Sequence, residues 1–207
     1  MSDLKEQIQA FLGGNCDFGR TADGELILEC PADTYHQIAL TLRDEERLSF
    51  EQLIDLSGID YAAWGMDSQS IAEEVPHHAP APFSSRFAVS CQLLSLKHNR
   101  RLTLRTFAAD DNAPMLPSIV DIWACALWYE REAFDLYGIV FEGNPDLRRI
   151  LTDYGFNGHP FRKDFPISGK VEVYYDEKLQ RIVHRPVSID PREVTPRVIR
   201  EEHFGRG

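Results

Sequence analysis

Nowhere in this chain is there an apolar run of the roughly 18–20 residues that a membrane span requires. The opening MSDLKEQIQAF also lacks the unbroken apolar stretch of a secretory signal. Both absences point to a soluble, cytosolic protein. Cysteine is scarce and scattered. Cys16, Cys30, Cys91 and Cys125 form no C-x-x-C pair and have no histidine at zinc-like spacing. Iron–sulfur clusters take four thiolates, usually closely spaced. Any redox chemistry must therefore use cofactors held by another chain, and the four cysteines read as reduced structural residues. A phosphate-binding G-x-x-x-x-G-K-[ST], a G-x-G-x-x-G after a strand and a nucleophile elbow are all missing. Basic residues are too few for nucleic acid: 22 Lys and Arg stand against 33 Asp and Glu, a formal net charge of −11.

What is present is an ordinary globular composition, 43% hydrophobic and 27% charged over 207 residues. A chain of that length buries roughly 70% of its unfolded surface and needs neither disulfide nor metal to hold a core. The charge is uneven. Up to residue 147 there are 10 Lys and Arg against 24 Asp and Glu, and from residue 148 onward 12 against 9. An acidic body is thus followed by a mildly basic segment, which fits an appendage lying on a different surface.

Periodicity predicts a short amphipathic helix over 4–12, with Leu4, Ile8, Phe11 and Leu12 on one stripe, ended by Gly13 and Gly14. ELILEC at 25–30 reads as a strand. Asp33 or Thr34 caps a helix through Tyr35, Ile38, Ala39 and Leu42. LSFEQLIDLSGIDY reads as a helical turn running into a strand near Ile59–Tyr61. Residues 65–85 are a Pro-rich loop. Its His77 and His78 are neighbours in extended chain and point apart, so they make a poor metal site. RFAVSCQLLSL and RLTLRTF alternate about a KHNR turn, a β-hairpin with Leu102 and Leu104 inward and Arg101, Thr103 and Arg105 outward. Within 118–138, Ala126, Tyr129, Ala133 and Leu136/Tyr137 fall at helical spacing, and Gly138 is placed to stop a helix of about 125–137. After Leu151 comes an irregular Gly-, Pro- and aromatic-rich turn. VEVYY and LQRIVHRPV then form a second hairpin, and a tail with Pro186, Pro191 and Pro196 follows. The expectation is an α+β fold: a helix–sheet body over 1–151 with antiparallel hairpins, then a turn, a hairpin and an extended partner-binding arm over 152–207.

Chemistry-bearing residues concentrate in WYEREAFDLYGIVFEGNPDLRRIL at 128–151. On a helix, Trp128, Glu132 and Asp135 share a face, and Arg131 stands four residues before Asp135. Two carboxylates at i, i+3 could be an acid/base couple or part of a metal site. No second motif supplies further ligands, so ion pairs beside a buried aromatic edge are favoured. Arg131, Arg148 and Arg149 suit bidentate pairing with carboxylates at a protein–protein surface. His159 and Asp164 in GHPFRKDF could form a dyad, but a local turn cap fits them better.

Glu130, Arg131, Glu132, Asp135, Gly138 and the PDLRRIL of Pro145–Leu151 together resemble the signature of one family, the C subunit of the proton-pumping NADH:quinone oxidoreductases, respiratory complex I. The resemblance runs on through LTDYGFNGHPFRKDFPISG and the second hairpin, and covers about residues 34–190. Asn144 stands where members commonly carry His or Lys. The resemblance implies a structural subunit of the hydrophilic arm with no catalytic, cofactor or metal residues of its own. FMN and iron–sulfur clusters would sit in partner subunits. The partners implied are chiefly the quinone-site D subunit and cluster-bearing arm subunits, at the cytoplasmic face of a bacterial inner membrane. Glu130, Arg131, Glu132, Asp135, Arg148 and Arg149 are the implied signature or interface residues. The alternatives are the equivalent subunit of a related membrane-bound hydrogenase or dehydrogenase, a free-standing interaction module, or an enzyme using Glu132 and Asp135.

Overall fold

The computed structural model describes residues 2–12, 16–21, 24–64, 85–166, 169 and 171–188. It falls into two compact units, Met1–Phe165 and Pro166–Gly207. The Pro-rich loop, apart from Ser85, lies outside the described residues, as do His77, His78, Gly13, Gly14 and the tail from 189 onward. The sequence divided the chain at residue 151. In the structure 152–165 belongs to the first unit, because its backbone is tied to that unit's helix and sheet.

The first unit is built on a five-stranded sheet in the order β1 (Asp17–Arg20), β2 (Leu26–Cys30), β5 (Arg100–Phe107), β4 (Phe87–Ser95), β3 (Gln52–Asp60). Only β2 and β5 run parallel. Strands alternate their side chains between faces. The paired residues Leu28, Leu104, Cys91 and Leu56 accordingly share one face with Leu102 and Leu93, all buried in the core. That face is covered by α1 (Ser2–Leu12) through Leu4 and Ile8, by α2 (Tyr35–Asp44) through Tyr35, Ile38 and Leu42, and by α3 (Ala126–Tyr137) through Ala126 and Ala133. The Tyr35 hydroxyl meets the Cys91 thiol at 3.1 Å inside this core. Burial pushes the Cys91 thiol up to about 12, so it stays protonated and unreactive.

Two readings of the sequence need correction here. Residues 52–60 are strand throughout, without the helical turn expected before Ile59. The register slips between Leu53 and Asp55, a β-bulge that leaves Ile54 unpaired and exposed. The bulge puts Leu53 and Leu56 on the same face three residues apart, which imitates helical spacing. Thr103, expected to face solvent, is buried and donates to Gln92 Oε1 at 2.9 Å.

Two further short strands, β6 (Met115–Pro117) and β7 (Val140–Glu142), pair in parallel, with α3 as the crossover between them. The second unit contains the hairpin of β8 (Val171–Asp176) and β9 (Arg181–Pro186). Its register puts Val171, Val173, Tyr175, Ile182 and Pro186 on one face with His184, all exposed. The other face carries a Glu172–Arg185 ion pair, with the Arg185 guanidinium over the Tyr174 ring. The hairpin is therefore an amphipathic ribbon whose apolar side is open.

Candidate functional site

Helix α3 presents its charges inward. Glu130 is fully buried and faces no cation among the described residues. Its carboxylate accepts from the Ser118 hydroxyl at 2.7 Å, the Ile119 N–H at 2.8 Å and the Asn144 amide at 2.8 Å. Ser118 and Ile119 follow β6 and Asn144 follows β7, so Glu130 ties the C-terminal ends of both parallel strands to the helix between them. Burial raises its carboxyl above the usual range, against the opposing pull of those three donors.

Asp135 is also fully buried and sits in a still denser cage. Its oxygens accept the Arg149 guanidinium at 2.8 Å, the N–H groups of Ile150, Leu151 and Thr152 at 3.0, 2.7 and 2.9 Å, and the Thr152 hydroxyl. Burial alone would push this carboxyl up. The Thr152 hydroxyl and the three backbone donors reverse that and leave it well below the usual carboxylate range. Arg149 reaches onward to the Gly158 carbonyl at 3.0 Å. Arg131, 4% exposed, donates to the carbonyls of Arg148 and Arg149 at 3.1 and 3.0 Å and lies over the Trp128 ring.

The C-terminus of α3 is closed by the same segment. Gly138 takes the left-handed conformation at φ 75° and donates to the Phe134 carbonyl at 2.9 Å. His159 Nδ1 meets the Asp135 carbonyl at 2.9 Å, the Phe161 N–H the Leu136 carbonyl at 3.0 Å, and Arg162 Nε the Tyr137 carbonyl at 2.6 Å. All four terminal carbonyls are thereby satisfied, and a guanidinium stands at the negative end of the helix dipole. His159 caps a helix and does not pair with Asp164, which is held instead by Arg86.

That arginine belongs to a cluster the sequence reading missed. Arg86 grips Asp60 through Nε at 2.8 Å and Nη2 at 2.7 Å, and Asp60 also accepts the Lys163 N–H at 2.9 Å. Asp60 ends β3, and Arg86 directly precedes β4. The loop between them hides their proximity from any local pattern.

Of the six residues singled out, Glu130, Arg131, Asp135 and Arg149 are brought into one buried framework. Arg148 is exposed and paired with Asp146 at 2.8 Å. Glu132 is exposed and does not join Asp135 in the cage, so the i, i+3 carboxylate pair makes no shared site. An open groove of about 560 Å³ runs along Leu53, Ile54, Ile122, Trp123 and Cys125, and no signature residue lines it. Among the described residues no three His, Cys, Asp or Glu side chains gather to hold a metal, and no helix is long and apolar enough to cross a membrane.

These features define an α+β protein whose densest charge cluster is devoted to fixing its own backbone. Residues 28–171 match the family described as the respiratory-chain NADH dehydrogenase 30 kDa subunit. The C subunit of the NADH-quinone oxidoreductase of Burkholderia multivorans is 55% identical over 98% of this chain and 94% of that protein. The protein of the same name from Bordetella petrii is 52% identical over 100% and 97%. Among solved structures, a trypsin-resistant fragment of Nqo5 superposes with a TM-score of 0.53 at 28% identity, covering 70% of this chain and 98% of that one. A chain of the membrane-bound sulfane sulfur reductase, an archaeal respiratory membrane complex, gives 0.59 at 20% identity over 80% and 85%, a likeness of fold alone. The chain belongs to the 30 kDa subunit family of the respiratory-chain NADH dehydrogenases.

Proposed function

We propose that this chain is a structural subunit of the hydrophilic arm of a proton-translocating NADH:quinone oxidoreductase, carrying no cofactor of its own. In this reading it packs on the quinone-site D subunit, at the cytoplasmic face of the inner membrane. Electrons pass from NADH through FMN and iron–sulfur clusters held by other subunits to quinone. The observation that carries the reading is identity of 55% and 52%, over nearly the whole chain, with relatives that are C subunits of NADH-quinone oxidoreductases. The geometry agrees with it. The buried signature charges Glu130, Asp135 and Arg131 hold backbone groups, as the residues of a structural subunit would. The open apolar side of the β8–β9 ribbon fits a segment laid along a partner, because an isolated two-stranded hairpin is at best marginally stable in water.

The test is stepwise dissociation of the complex, purified through a tag on this chain from gently solubilised membranes. The expected last species is this chain paired with the D subunit. A different last partner contradicts the assigned contact. NADH oxidation by the intact preparation separates the reading from the equivalent subunit of a related hydrogenase or dehydrogenase.

A further inference from the structure

Cys16 directly precedes β1, and Cys30 ends β2. The two strands pair antiparallel, from Arg20 opposite Leu26 to Asp17 opposite Glu29. One step further along that register, Cys16 stands opposite Cys30. Both side chains pack against the core, as do those of Phe18 and Leu28 one pair inward on the same face. Directly opposed residues of an antiparallel pair have Cα atoms about 4.5–5.5 Å apart, inside the roughly 4.4–6.8 Å that a disulfide spans. The electrostatics agree. Burial, and after it the neighbouring Cys16 thiol, hold the Cys30 thiol well above its usual range. Cys91 is no competitor, since it lies on β4 with β5 between it and β2, and two strand spacings come to about 9–10 Å. Its thiol also meets the Tyr35 hydroxyl at 3.1 Å.

Both thiols are free, Cys30 buried and Cys16 half-buried at the edge of the sheet. We propose that Cys16 and Cys30 form an oxidation site, a cross-strand thiol pair that a hydroperoxide closes to a disulfide and a dithiol reopens. Cys16 is the more accessible and attacks first. Its thiolate takes one peroxide oxygen: an S–O bond forms, the O–O bond breaks, and the departing hydroxide leaves as water with the proton Cys16 gave up. The Cys30 sulfur then attacks the Cys16 sulfenic sulfur. The S–S bond forms, the S–O bond breaks, and the oxygen leaves as a second water with the Cys30 proton. The two thiols lose two electrons and the peroxide gains them. Partial burial and the adjacent Asp17 carboxylate hold the Cys16 thiol up as well, so at neutral pH the pair rests reduced and closes slowly. Closure fastens β1, an edge strand whose partner in the sheet is β2, by a bond that removes freedom from the unfolded chain.

The experiment exposes the full chain to hydrogen peroxide, blocks the remaining thiols with iodoacetamide under denaturing conditions, digests with trypsin in the absence of reductant and weighs the peptides. The expected product is residues 6–20 joined to residues 21–43, released again by dithiothreitol. Between pH 7 and 8 the rate of closure should rise about ten-fold, following the thiolate fraction. The oxidised chain should melt roughly 5–10 °C above the reduced one. Cys16→Ser should abolish both the joined peptide and the rise in Tm, while Cys125→Ser should keep both. Matching circular dichroism of the reduced Cys16→Ser and parent chains separates a lost bridge from a lost fold. A bridge from Cys30 to Cys91, a cross-link between copies, or Cys16 halted at the sulfinic acid beside a free Cys30 overturns the pair. So does the absence of any joined peptide, a closure rate indifferent to pH, or a bridged chain that melts no higher.

Discussion

Glu130 and Asp135 are five residues apart on one helix, both fully buried, yet their environments push them in opposite directions. Asp135 is held low, so its contribution to stability is complete above the ordinary carboxylate range near pH 4 and is lost as pH falls toward its folded value. Asp135→Asn leaves one oxygen to serve donors now shared between two, and removes the charge facing Arg149. The expected cost is about 3 kcal/mol at neutral pH, shrinking below about pH 4 as the wild type loses the same advantage. Urea unfolding across pH measures both. Glu130 is raised, so its ionised form weighs against the fold at neutral pH, and that burden lifts as pH falls through its folded value toward about 4.3. Glu130→Gln should abolish this gain on mild acidification. Glu130→Ala should cost about 3 kcal/mol because it strands the Ser118, Ile119 and Asn144 donors. The sequence marked both residues as special. It could not reveal their separate roles, because the partners of Asp135 follow it by 14 to 17 positions in an irregular turn.

At the scale of elements, α3 fits against the sheet through a glycine. A methyl group at Gly58 would stand 2.6 Å from Tyr137 Cδ2, closer than packing allows. Gly58→Ala should therefore destabilise by roughly 1–3 kcal/mol, and adding Tyr137→Leu should recover part of the loss in a double-mutant cycle. The bulge at Ile54 serves the same contact, since its carbonyl accepts the Tyr129 hydroxyl at 3.0 Å. Alternation made the β4–β5 hairpin and the β8–β9 ribbon legible, and Gly138 marked the end of α3. β3 was half misread because its bulge broke the period. β6 and β7, at three residues each, are too short for any periodic signal. For the ribbon, Val173→Ser with Ile182→Ser removes exposed apolar area only. Thermal unfolding of the chain should be unchanged, while retention of the chain in purified complex should fall several-fold.

At the scale of the whole molecule, exposed apolar side chains among the described residues include Leu151 and Tyr154 in the first unit and one face of the ribbon in the second. Composition alone reached only as far as an α+β domain with a partner-binding appendage. The signature carried the rest. Its buried residues fix a backbone, with Asp135 ordering the turn at 150–152 and Arg131 holding the carbonyls of 148 and 149. The most direct test of the central claim is a purification through a tag on this chain from solubilised membranes. The eluate is assayed for FMN, iron–sulfur absorbance and inhibitor-sensitive NADH:quinone reduction, beside the same chain expressed alone. The account predicts all three in the eluate and a colourless, inactive chain when alone. A chain that binds flavin or reduces quinone by itself, or that elutes without the other subunits, contradicts it.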